Sequence, residues 1–126
     1  MSGLTIKSTF IKVLLFLAAC LPLTLAQAHH SAAQYDFTQN VEVSGKIVHL
    51  SVANPHIALT LEISDGAGGT KQIEYEGHSR NNVFRRGWKP DSMKEGDTVT
   101  IFIAPLRNGE AGGYIQSFKL ADGKTF

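Results

Sequence analysis

Residues 41–52 read VEVSGKIVHLSV. In the first half, Val41 and Val43 alternate with Glu42 and Ser44. That is the period of a strand with one face on a core. Past Gly45 the apolar parity moves to Val48, Leu50 and Val52. A glycine where the parity switches predicts a β-bulge there, because one extra residue turns every later side chain to the other face. A long strand bent in this way suits a sheet that curls toward closure. On this parity His49 points away from the core.

The next segments follow the same logic. Ala53-Asn54-Pro55 is a turn signal. Ile57, Leu59, Leu61 and Ile63 alternate with Ala58, Thr60 and Glu62, which gives a second strand. Asp65 to Gly69 makes a glycine-rich hairpin loop. Ile73 and Tyr75 alternate with Gln72, Glu74 and Glu76 in a third strand, with Tyr75 inward. Then the pattern changes. Ser79 or Asn81 caps a short helix through Val83, Phe84 and Arg85. Gly87 ends it in a left-handed conformation. Arg85 and Arg86 fall where the helix dipole favours positive charge. Trp88 is expected to cover one end of the core, with Phe84 beneath it. After a turn-rich stretch from Asp91 to Asp97, Val99, Ile101 and Ile103 mark a fourth strand. Arg107 to Gly113 is a loop, and Tyr114 to Leu120 is a fifth strand. The order β-β-β-α-β-β predicts an all-β, OB-like five-stranded barrel with a short helix between strands three and four.

The start of the chain has a different character. Lys7 and Lys12 precede an apolar run from Val13 to Ala26, and Ala26-Gln27-Ala28 offers small residues at the positions a signal peptidase reads. Residues 1–28 therefore read as a cleavable export signal, and the protein is expected in the periplasm. The run is too broken, by Cys20, Pro22 and Thr24, to read as a membrane anchor. Removal of the leader leaves 98 residues, one domain of 29–126, whose first stretch (29–40) is polar and aperiodic. That stretch reads as an N-terminal arm with little regular structure. Cys20 lies in the leader, so the exported part holds no disulfide. Leu17-Ala18-Ala19-Cys20 also fits a lipoprotein acylation signal, although the residues after Cys20 stay apolar where lipoproteins turn polar.

Charge and motifs exclude several function classes. The leader holds two of the 12 basic residues and none of the 11 acidic ones, which leaves 10 against 11. A net charge of −1 would not concentrate nucleic acid or an anionic membrane surface. The second strand also lacks the aromatic residues on which an OB barrel stacks bases. No nucleophile stands at a telling distance from a base, and there is neither a phosphate loop nor a dinucleotide fingerprint, so an enzyme is not expected.

The histidines carry the chemistry. Cleavage after Ala28 would place His29 at the amino terminus, where its free amine and imidazole form a ready chelate, with His30 next to it. Cleavage after Ala26 would instead make His29 the third residue from a free amine, which is a square-planar arrangement of nitrogen donors. Both suit Cu(II). His56 follows Asn54-Pro55 at the mouth of the first hairpin. Glu74, Glu76 and His78 share one face of the third strand if it extends that far. Imidazole with carboxylate in such a cluster would suit zinc.

The chain resembles a family of small exported bacterial proteins, the domain of unknown function 6152 family. The resemblance rests on His29-His30-Ser31, Asn54-Pro55-His56, Glu76-Gly77, Arg85-Arg86-Gly87-Trp88 and Gly96-Asp97. His78 departs from it, because the family pattern leads one to expect glycine there. The family implies no established activity. It does imply that His29, His30 and the Asn54-Pro55-His56 turn recur together as one site, and that acylation at Cys20 is not needed, since the resemblance begins at the expected cleavage site. The expectation is a periplasmic binding module that holds copper through His29 and His30, with His56 as a third ligand. Asn54, Pro55, Glu76 and His78 are further candidates at that site. The alternative is a metal-free module that presents a loop or edge strand to another envelope protein. A small ligand in the barrel mouth is a third reading.

Overall fold

The computed structural model describes residues 32–126, of which Ala33–Phe126 form one compact unit. Its strands are β1 (Val41–Val52), β2 (Ile57–Ser64), β3 (Thr70–Gly77), β4 (Thr98–Pro105) and β5 (Gly113–Leu120). A six-residue helix, α1 (Arg80–Arg85), stands between β3 and β4. The strands close into a barrel in the order β1-β2-β3-β5-β4. Neighbours run antiparallel except β3 and β5, which pair in parallel over two residue pairs, Glu76↔Tyr114 and Gly77↔Ile115. This is the OB-like barrel that the element order predicts.

Alternation along the strands builds the core. Ile57, Leu59 and Leu61 of β2 are fully buried, as are Val99 and Ile101 of β4. Ile47, Ile103, Ile115 and Phe118 join them. Each such side chain contributes roughly 1.5–3 kcal/mol by leaving water. With no disulfide among the described residues, this packing carries the fold.

The bulge in β1 is real but lies further along than the glycine suggests. The register against β2 shifts between Ile47 and His49, so Val48 is the extra residue. Ile47, not Val48, is the fully buried residue of the pair. Gly45 has another purpose. A Cβ there would sit 2.7 Å from the Glu62 carbonyl oxygen and 2.8 Å from Ile63 Cγ2. The glycine allows close approach of β2, and the bulge follows it. His49 lies outward as expected.

The helix forms as its caps dictate. Asn82 N donates to Ser79 Oγ at 3.3 Å, which makes Ser79 the N-cap. Gly87 stops the helix at φ 98°, and Trp88 N donates back to the Val83 carbonyl. Trp88 is buried with Val83 and Met93, and Phe84 meets its ring edge-on at 5.3 Å. The Trp88 Nε1 proton finds no acceptor among the described residues.

The arm differs most from expectation. Its described residues, 32–40, carry little regular structure, yet they are docked. Asp36 N donates to the Pro105 carbonyl and Arg107 N to the Gln34 carbonyl, each at 2.8 Å, on either side of a Tyr35↔Leu106 bridge. Tyr35 is only 6% exposed. Gln116 Nε2 holds the far end of the arm through the Gln39 carbonyl at 3.0 Å.

A candidate binding site at the rim of β2, β3 and the arm

The site grows out of the register between β2 and β3. Ile57 pairs with Gly77 and Ala58 with Glu76. Tyr75 and Gly77 are buried, so Glu76 between them lies on the outer face of the barrel. Ala58, directly across, has no side chain beyond Cβ, and the carboxylate is open to approach from the diagonal. His56, one residue before β2, takes that diagonal. Its Nδ1 lies 2.9 Å from Glu76 Oε1 and 3.3 Å from the Gly77 carbonyl oxygen. The other carboxylate oxygen accepts a 3.0 Å hydrogen bond from the Tyr35 hydroxyl. Glu76 therefore joins the first hairpin to the arm.

A second pair lies beside the first. The parallel register sets Tyr114 of β5 next to Glu76. The Tyr114 hydroxyl and His78 Nδ1 are 3.2 Å apart, with the rings perpendicular. Tyr114 also packs on Tyr35 and Phe37, with ring centroids 5.4 Å apart in each case. β3 ends at Gly77, so His78 lies just past the strand. Within the strand, the expected shared face therefore reaches only Glu74 and Glu76. Glu74 and Glu76 line a shallow cleft of about 170 Å³ with Tyr35, Gly112 and Gly113.

The protonation of the cluster follows from burial. Tyr35 is pushed up to about 12, by burial first and then by its hydrogen bond to Glu76 and the charge of that carboxylate. Tyr114 is raised by burial and then by Glu76. His78 is lowered by burial, then by Arg86 and His56. At neutral pH both phenols and the His78 ring are uncharged.

Asn54 and Pro55 shape the site from beneath. Asn54 Nδ2 donates to Asn81 Oδ1 and Asn81 N donates to Asn54 Oδ1, each at 3.4 Å. Arg80 N donates to the Ala53 carbonyl at 2.9 Å. The turn is thus fastened to the first residues of α1, and His56 leaves it toward Glu76. His49 is elsewhere, paired with Glu95 at 3.2 Å on an exposed surface. His29 and His30 lie outside the described residues, as do Cys20 and the leader. Among the described residues, no three of His, Cys, Asp and Glu stand close enough together to hold a metal ion.

Sequence reasoning brought His56, Glu76 and His78 to one region but missed Tyr35 and Tyr114. Tyr114 precedes the inward Ile115, so its outward parity was available as a signal. Tyr35 gave none, because its partner Glu76 is 41 residues away.

The fold and this constellation define a small OB-like barrel with an imidazole–carboxylate–phenol cluster at its rim. The chain belongs to the family described as a family of unknown function (DUF6152), which it matches over residues 18–116. The match starts upstream of Cys20, so the point at which the family begins says nothing about acylation there. No curated protein matches the chain significantly.

Proposed function

We propose that this chain is an exported, periplasmic binding module that takes up one copper ion. His29 and His30 supply the first donors and His56 the third. The observation that carries this reading is the Tyr35–Glu76–His56 linkage. Tyr35 follows His30 by five residues. Five residues of chain span at most about 17 Å. Anchoring Tyr35 on the partner of His56 therefore leaves a tether short enough for the amino-terminal histidines to reach that imidazole. Amine and imidazole nitrogens favour Cu(II) among the divalent first-row ions. Asn54 and Pro55 act by placing His56, and no catalytic step is assigned.

Titration of the mature protein with Cu(II), followed by the visible and EPR spectra, tests the reading. A tight one-to-one complex with nitrogen ligation is expected. A His29→Ala/His30→Ala variant should lose most of the affinity, and equal binding by that variant would rule the site out.

One observation favours a second reading, a metal-free module for an envelope protein. Phe37 is 46% exposed and packs on Tyr114 at the same rim. A stoichiometric partner recovered in the presence of chelator, and lost in Phe37→Ala, would select that reading.

A further inference from the structure

We infer that Glu76 is the positioning residue of this site: it fixes His56 with its proton on Nδ1, so that Nε2 is the atom offered to a metal. The consequence for binding rests on the proposed copper reading, whereas the tautomer does not.

Donors and acceptors around the ring decide the tautomer. His56 Nδ1 faces two oxygens, Glu76 Oε1 at 2.9 Å and the Gly77 carbonyl at 3.3 Å. A main-chain carbonyl only accepts, and an ionised carboxylate only accepts. Neither can give a proton to Nδ1, so Nδ1 must carry one. In the neutral ring the lone pair then resides on Nε2. The His56 side chain as a whole is 43% exposed.

Glu76 is held for this task rather than for ligation. One oxygen accepts a hydrogen bond from the imidazole Nδ1–H, and the other accepts one from the Tyr35 hydroxyl. The phenol stays protonated to about 12, so it remains a donor at every physiological pH. A carboxylate behind a ligating imidazole fixes the ring and raises its basicity. Here the same carboxylate also receives the arm, so the docking of Tyr35 and the aim of His56 depend on one group. An imidazole nitrogen offered in this way suits copper or zinc better than calcium or magnesium.

Long-range ¹H–¹⁵N correlation of the imidazole rings in the metal-free mature protein tests the tautomer directly. Wild-type His56 is expected with its proton on Nδ1. In Glu76→Ala that preference should be lost, and in Glu76→Gln, which keeps an acceptor oxygen, it should largely persist. A wild-type ring protonated on Nε2, or a tautomer indifferent to Glu76→Ala, would overturn the assignment. Cu(II) titration of the same three proteins reads the consequence. Glu76→Ala should weaken binding roughly ten- to a hundred-fold, and Glu76→Gln less. Unchanged affinity in Glu76→Ala would overturn the positioning role. A wild type that binds no Cu(II) while showing the Nδ1 proton would sink the copper reading and leave the tautomer standing.

Discussion

His49 and His56 each face a glutamate at hydrogen-bond distance, yet the two places in the barrel have little else in common. The pair of His49 and Glu95 spans 3.2 Å, with side chains 64% and 58% exposed. Its members come from the bulged part of β1 and the loop before β4. The pair of His56 and Glu76 spans 2.9 Å, at 43% and 33% exposure. Here the carboxylate also accepts from the Tyr35 hydroxyl, and Tyr35 is the buried residue by which the arm docks. One pair is a solvated contact. The other belongs to a network in which three separate segments meet. The comparison teaches that proximity of imidazole and carboxylate says little by itself, and that the third partner decides whether the geometry is held.

The largest effect should come from removing that third partner. Tyr35→Ala deletes a buried ring and frees the arm, and should cost about 3 kcal/mol of stability in urea unfolding. Tyr35→Phe keeps the ring and removes only the hydroxyl bond to Glu76, so about 1 kcal/mol is expected. If Tyr35→Phe has no measurable effect, the hydroxyl does not secure Glu76, and the contrast between the two histidines loses its basis.

The barrel was legible in the sequence because alternation and glycine placement are local signals. Ile57, Leu59 and Leu61 announced β2, and Ser79 and Gly87 announced both ends of α1. The bulge was misplaced because Gly45 is also required for close approach to Glu62, and one residue type serves both needs. The site was half legible. His56 and Glu76 were candidates by chemistry, but the contact between them depends on register, which no short segment encodes. Tyr35 lay in a polar stretch with no period. Its burial comes from a bridge to Leu106, a contact across 71 residues of chain.

A smaller effect concerns His78, which shares the rim but not the carboxylate. Its pKa is held below 6.5 by burial, Arg86 and His56. The unfolded chain therefore binds more protons as pH falls through that range. Stability should be full above pH 6.5 and decline below it. His78→Phe, which keeps a ring against Tyr114, should flatten that acid limb. Urea midpoints at about pH 7.5 and about pH 5, spanning the histidine range, would show it. An acid limb unchanged in the variant would assign the slope to other groups.

The smallest effect is expected at the pair that looks most like the candidate site. Glu95→Ala removes the partner of His49 and the 3.3 Å acceptor of Leu50 N. Both groups lie at the surface, where water replaces a lost partner, so the change should stay within about 0.5 kcal/mol. The same substitution should leave the His56 tautomer and any Cu(II) affinity untouched, because no contact joins Glu95 to Glu76 or Tyr35. A loss at Glu95 equal to that of Tyr35→Phe would mean that the bulge depends on this carboxylate. The two histidine–glutamate pairs would then differ in place rather than in kind.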